Sequence, residues 1–169
     1  MTPRRERGTG GPPVSIDIIR ATVDNPHFHA LCDDLDGALA HMATDRGAVE
    51  PLHLFKDLDG IHDVFIAYED GEPVGCVGIK ALPDCVAEMK RLFVSGNCRG
   101  KGIAGMLVKA TEAWAVENEF HALVLETGRH LAEAQGLYRK AGFAVIPNFP
   151  PYEKLPNSIC MRKNLGPGA

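Results

Sequence analysis

The residues best suited to chemistry lie in one run, Ser95-Gly-Asn-Cys-Arg-Gly-Lys-Gly-Ile-Ala-Gly105, which follows Glu88-Met-Lys-Arg-Leu-Phe-Val94. Gly100, Gly102 and Gly105 fall within six residues, and a backbone without Cβ atoms can approach a ligand closely. The apolar positions Ile103, Leu107, Ala110 and Trp114 recur at helical spacing and predict a helix that opens at the loop. The first turn of such a helix offers free N–H groups and the positive end of its dipole. Arg99 and Lys101 add positive charge beside it. A strand, a basic glycine-rich loop and a helix start predict a site for phosphate.

Other chemistries fit less well. Gly100-x-Gly102-x-x-Gly105 matches the dinucleotide pattern G-x-G-x-x-G, and Glu126 follows about 20 residues on. In that unit, however, the glycines follow directly on the strand, whereas Ser95 to Arg99 intervene here. A Walker loop is excluded because no G-K-[ST] is present. Asp34-Leu-Asp36-Gly37 and Asp57-Leu-Asp59-Gly60 look like calcium loops, but the twelfth positions are Ala43 and Ile66 rather than Glu. No H-E-x-x-H occurs among the seven histidines, and no metal is expected. Without G-x-S-x-G there is no serine-nucleophile elbow. Cys98 beside Arg99 at a helix start could have a lowered thiol pKa, although a small loop filler is the plainer reading.

A fold must hold this loop. The chain has 169 residues, enough for one domain with a core. Residues 1–13, rich in Arg, Gly and Pro, are expected to be a disordered tail, leaving 14–169 as a single domain. Ser15–Arg20 predicts a first strand, and Pro26 opens a helix carrying Leu31, Leu35, Leu39 and Met42. Gly47–Pro51 break that region. Val64–Tyr68 and Pro73–Lys80 predict a hairpin around Asp70-Gly71. Val86–Val94 follows as a fourth strand. After the loop and its helix, Ala122–Glu126 predicts a buried strand, Leu131–Ala141 a helix ended by Gly142, and Phe143–Ile146 and Ser158–Met161 two last strands. The class is α/β, in the α+β sense, with an early antiparallel hairpin.

Composition narrows the setting. A net charge of −4 argues against nucleic acid as a partner. Five cysteines at wide spacing, with no C-x-x-C, fit free thiols in a reducing compartment. No apolar run approaches a membrane span and no signal peptide is visible, so the expected location is the cytoplasm, without a membrane partner.

Arg99-Gly-Lys-Gly-Ile-Ala104 resembles the R/Q-x-x-G-x-G/A motif of the GNAT family of N-acetyltransferases. The resemblance extends back through Lys90-Arg-Leu-Phe-Val94, the family's fourth strand. It extends forward through Ala134-x-x-Leu-Tyr-x-x-x-Gly-Phe143, about 35 residues further on. By element order it covers roughly residues 15–165. It implies the GNAT fold, a mixed, mostly antiparallel sheet splayed between strands 4 and 5 and flanked by helices. It also implies acetyl-CoA as co-substrate in that gap. Leu92 and Val94 would pair with the pantetheine, and the loop of Arg99, Gly100, Lys101, Gly102, Ile103 and Ala104 would wrap the pyrophosphate.

The implied reaction is direct attack of a primary amine on the thioester within a ternary complex. An alkyl ammonium has a pKa near 10.4, so a base or water relay helps at neutral pH. Glu88 is the candidate base; strand alternation puts it on the same face as Leu92. A salt-bridged strand-end carboxylate is its other reading. A backbone N–H near Phe93 or Val94 would stabilise the oxyanion. Tyr138 matches the family tyrosine that protonates the leaving thiolate, and it would also serve as a core aromatic. Leu131 stands where many members carry Asn or Gln, which removes one expected cofactor contact. The acceptor is expected between the first helix and the loop between the last two strands. Asp33, Asp36 and Glu88 there suit a cationic amine, while Phe149 and Tyr152 offer apolar surface. A small-molecule or amino-acid-like amine is the first expectation, a protein lysine or N-terminus the second. A non-catalytic acyl-CoA sensor is a further alternative, and homodimers are common among similar proteins.

Overall fold

The computed structural model describes residues 11–46 and 57–166. Most of the expected tail and the Gly47–Pro51 break lie outside the described residues. The elements run β1 (Ile16–Thr22), α1 (Pro26–Arg46), β2 (Ile61–Glu69), β3 (Glu72–Leu82) and β4 (Val86–Val94), then a short 3₁₀ turn (Gly96–Cys98). They continue with α2 (Ile103–Glu117), β5 (Ala122–Gly128), α3 (Ala132–Lys140), β6 (Ala144–Ile146) and β7 (Ser158–Asn164). Among the described residues no helix is long and apolar enough to cross a membrane.

The strands form a seven-stranded sheet in the order β1-β2-β3-β4-β5-β7-β6. All neighbours are antiparallel except β4 and β5. The β2–β3 turn is Asp70-Gly71, with φ of +49° and +87°. Two successive left-handed residues match the right-handed twist of a tight hairpin. β2 starts at Ile61 rather than Val64: pairing with β3 takes in Ile61 and Asp63, with the register shifting at His62, and apolar patterning leaves out the polar His62 and Asp63.

Two cores sandwich the sheet. On one face Ile103, Leu107, Val108 and Ala115 of α2 pack with Ala87, Met89, Leu123, Leu125 and Tyr138. On the other, Phe28, Leu31 and Cys32 of α1 pack with Val64, Ile66, Cys76 and Phe93. The α2 stripe differs from expectation: Ala110 and Trp114 are half-buried, while Val108, Thr111 and Ala115 are buried. The C-terminal half of α1, with Leu35, Leu39 and Met42 half-buried, faces an opening in the sheet.

That opening is the splay. β4 and β5 pair only at Val86↔Ala122, Ala87↔Leu123 and Glu88↔Val124. From Met89 to Val94, β4 has no strand neighbour on its β5 side among the described residues.

Candidate active site

The free β4 edge carries a bulge. Cys76 pairs with Phe93 and Gly78 with Lys90, so Val77 of β3 alone opposes Arg91 and Leu92 of β4. Arg91 absorbs the extra residue at φ +61°. A bulge bends its strand and re-aims the side chains beyond it. Ala87 and Met89 face the α2 core before it; Leu92 and Val94 face that core after it. The alternation expected to put Glu88 and Leu92 on one face is therefore reversed, and they lie on opposite faces. The Arg91 guanidinium secures the bulge to α1, donating to Cys32 O at 2.9 Å and to Asp36 Oδ1 at 2.7 Å.

A cavity of about 610 Å³ lies in the splay. Leu92, Phe93 and Val94 line it, with Arg99, Gly100, Gly102, Ile103 and Ala104 of the loop and Tyr138 on α3. The structure thus brings the motif residues together, with one exception. Lys101 does not line the cavity; its Nζ is paired with Glu69 Oε1. Gly100 and Gly102 have φ of +80° and +79°, where a Cβ is strained. Gly102 caps α2 without a side-chain bond, which leaves first-turn N–H groups directed at the cavity. Arg99 is exposed, its Nε 3.4 Å from Val94 O. Cys98 is buried; burial and the Glu69 carboxylate raise its thiol pKa, so it is not an activated nucleophile but fills the loop.

Tyr138 is 7% exposed and packs edge-to-face on Phe143 at 6.0 Å. Its hydroxyl has no hydrogen-bond partner among the described residues. Burial, then the Glu126 carboxylate, raise its pKa, so the phenol stays neutral and can donate.

A smaller recess of about 150 Å³ adjoins the cavity. Leu35, Leu39, Leu92, Leu131, Ala134 and Tyr138 line both. Lys90, Glu126, Thr127 and Tyr152 line the recess alone. Tyr152 is 2% exposed, and its hydroxyl donates to Glu88 Oε1 at 2.7 Å and accepts from Lys90 Nζ at 3.3 Å. Burial and Glu88 raise its pKa. Glu88, 3% exposed, lies behind that hydroxyl and lines neither space. Phe149 stacks edge-to-face on Tyr152 at 5.4 Å and packs against the cluster of Val86, Ala122 and Val124. Asp33 is exposed and lines neither space.

Sequence reasoning missed four groups. Lys90, Glu126 and Thr127 are polar residues inside otherwise apolar strands, and that interruption was the available signal. The fourth is Asn148, in the loop after β6: its Nδ2 donates to the carbonyls of Tyr152 and Ser158 at 3.2 and 3.1 Å. It folds the proline-rich segment so that Tyr152 turns inward.

Comparison with known proteins agrees with this geometry. The profile described as "Acetyltransferase (GNAT) family" matches residues 28–143. An IAA acetyltransferase of Azospirillum brasilense is 39% identical over 101 residues, 59% of this chain and 66% of its own length, just under two thirds. The uncharacterized N-acetyltransferase YsnE of Bacillus subtilis is 32% identical over 151 residues, 82% of this chain and all (100%) of the relative. A crystal structure described as an acyl-CoA N-acyltransferase from Klebsiella pneumoniae superposes with a TM-score of 0.73 at 29% identity, covering 89% of this chain and 98% of that one. With a splayed sheet, a glycine loop at the mouth of the splay and relatives matched over most of the chain, the protein belongs to the GNAT family of N-acetyltransferases.

Proposed function

We propose that this N-acetyltransferase takes its acetyl group from acetyl-CoA and transfers it to the primary amine of a small, amino-acid-like acceptor by direct attack in a ternary complex. The observation that carries the reading is the unpaired β4 edge, Met89–Val94, opening onto a cavity with a glycine-rich helix start at one end. An edge of free N–H and C=O groups is a template for an extended, amide-bearing chain, and pantetheine is one. Gly100, Gly102 and the first turn of α2 supply N–H groups for a pyrophosphate, and Arg99 adds charge. The acyl-CoA named for the Klebsiella neighbour supports the same donor.

The chain's own groups then divide the work. When bound, acetyl-CoA supplies an electrophilic thioester carbonyl. The β4 backbone near Phe93 and Val94 donates to the carbonyl oxygen as charge builds there. The carbon exchanges its bond to sulfur for a bond to nitrogen. Tyr138 donates to the departing thiolate. The nitrogen gives up one proton. Tyr152 takes it as its own hydroxyl proton moves to Glu88, so Glu88 acts as base through Tyr152 and not by touching the amine. Products are the N-acetyl compound and CoA, whose thiolate, hydrogen-bonded by Tyr138, takes up a proton from solvent on release while Glu88 returns its own to solvent.

The test is thiol release from acetyl-CoA with a panel of primary amines against an amine-free blank. Acetylation of small amines supports the reading. Stabilisation by acetyl-CoA with no transfer to any amine would replace it with a binding-only role.

A further inference from the structure

We propose that Lys90 anchors the carboxylate of the acceptor, so that the acceptor is an α-amino acid with an apolar side chain; this rests on the acetyl-transfer reading above. Three observations carry it. The first is the state of the cations around the splay. Arg91 is committed to Asp36 and the Cys32 carbonyl, and Lys101 to Glu69. Lys90 is half-buried and, among the described residues, meets only the neutral Tyr152, through its hydroxyl at 3.3 Å and over its ring at 5.9 Å. No carboxylate of the described residues lies within ion-pair distance of it. An ammonium held partly out of water without a counter-charge is unfavourable, and an arriving carboxylate would form charge-assisted hydrogen bonds with it.

The second observation is that the recess carries both signs of charge. Glu126 and Lys90 line the same small space, an arrangement that matches the ammonium and carboxylate of a zwitterion. The third is size and polarity. At about 150 Å³ the recess is well below the roughly 300–1,000 Å³ of drug-sized sites. Leu35, Leu39, Met89 and Leu131 give the wall an apolar stretch, which suits a short apolar side chain, while Arg91, the other cation in the lining, is held by Asp36 and the Cys32 carbonyl. The recess joins the larger cavity at Tyr138, so an amine held here faces the proposed thioester position.

The experiment compares leucine, leucinamide and 3-methylbutylamine as acceptors, with kcat/KM referred to the unprotonated amine. Leucine is expected to exceed the two carboxylate-free compounds by roughly 10- to 100-fold, the range of one charge-assisted hydrogen bond. Lys90→Met should bring that ratio to within a few-fold, and Lys90→Arg should retain most of it. Lys90→Gln gives the same readout should the methionine variant not fold. Equal use of all three compounds by the wild type overturns the proposal, as does a ratio that survives Lys90→Met. If amines are acetylated regardless of a carboxylate, only this proposal fails. If no amine is acetylated while acetyl-CoA still stabilises the protein, the transferase reading fails and takes this proposal with it.

Discussion

Tyr138→Phe separates chemistry from folding more cleanly than any other single change here. The ring stays on Phe143, and the hydroxyl that is lost has no hydrogen-bond partner among the described residues. Its removal leaves no orphaned donor or acceptor, so the fold should be unharmed. The hydroxyl lines the cavity and is not one of the sealed atoms that lack a partner, so stability should change by less than about 1 kcal/mol, under about 2–4 °C in Tm for a chain of this size. The catalytic loss follows from the pKa direction. Burial and Glu126 hold the phenol above its ordinary value, whereas a thiol sits near 8.5. Full proton transfer to the thiolate is uphill, and the main contribution is a hydrogen bond to developing charge. Loss of one such donor lowers kcat by about 10²–10³, about 2.7–4 kcal/mol. The KM for acetyl-CoA should hardly move, because β4 and the glycine loop supply the binding. The assay is thiol release against an amine-free blank, which also subtracts any signal from the exposed Cys85. A kcat within threefold of wild type, with the true acceptor, would refute the role assigned to Tyr138.

Other perturbations have equally definite outcomes. Tyr152→Phe removes the hydroxyl donor from the buried Glu88 carboxylate and should destabilise by about 2 kcal/mol, read as a lower urea midpoint with unchanged m-value. Arg91→Ala leaves Asp36 and the Cys32 carbonyl without their shared donor and should lower stability by about 3 kcal/mol. Asp36→Asn should lower it less, because Arg91 keeps the carbonyl and Asp36 is the more exposed partner. Gly102→Ala should raise the KM for acetyl-CoA well above that of Lys101→Ala, since the alanine is strained at φ +79° while Lys101 already pairs with Glu69. Both buried tyrosines have raised pKa values in the folded state. Their neutral forms thus favour folding below the unfolded pKa of about 10, and that stability is lost as pH climbs toward the folded values. Thermal melts should show an alkaline decline beginning near pH 10, reduced in Tyr152→Phe.

Much of this protein is local in origin, and so was legible in its sequence. Asp70-Gly71 favours two left-handed residues, and the hairpin forms there. Gly100 and Gly102 sit where only glycine is unstrained, and the spacing of Ile103 and Leu107 sets the helix that follows. Ala134 and Tyr138 share one side of α3 because of helical geometry. These features depend on neighbours a few residues apart, which is the range over which composition and periodicity speak. The bulge at Arg91 is different. It depends on the register between β3 and β4 and on a guanidinium reaching α1, and it reverses the alternation that linked Glu88 to Leu92. The Lys90–Tyr152–Glu88 contact joins residues more than sixty positions apart. Asn148 turns the proline-rich segment that carries Tyr152 there. Only the folded chain could decide that Glu88 stands behind a tyrosine and that Lys90 reaches the recess, because long-range packing, unlike a turn or a helix start, leaves no periodic trace in the chain.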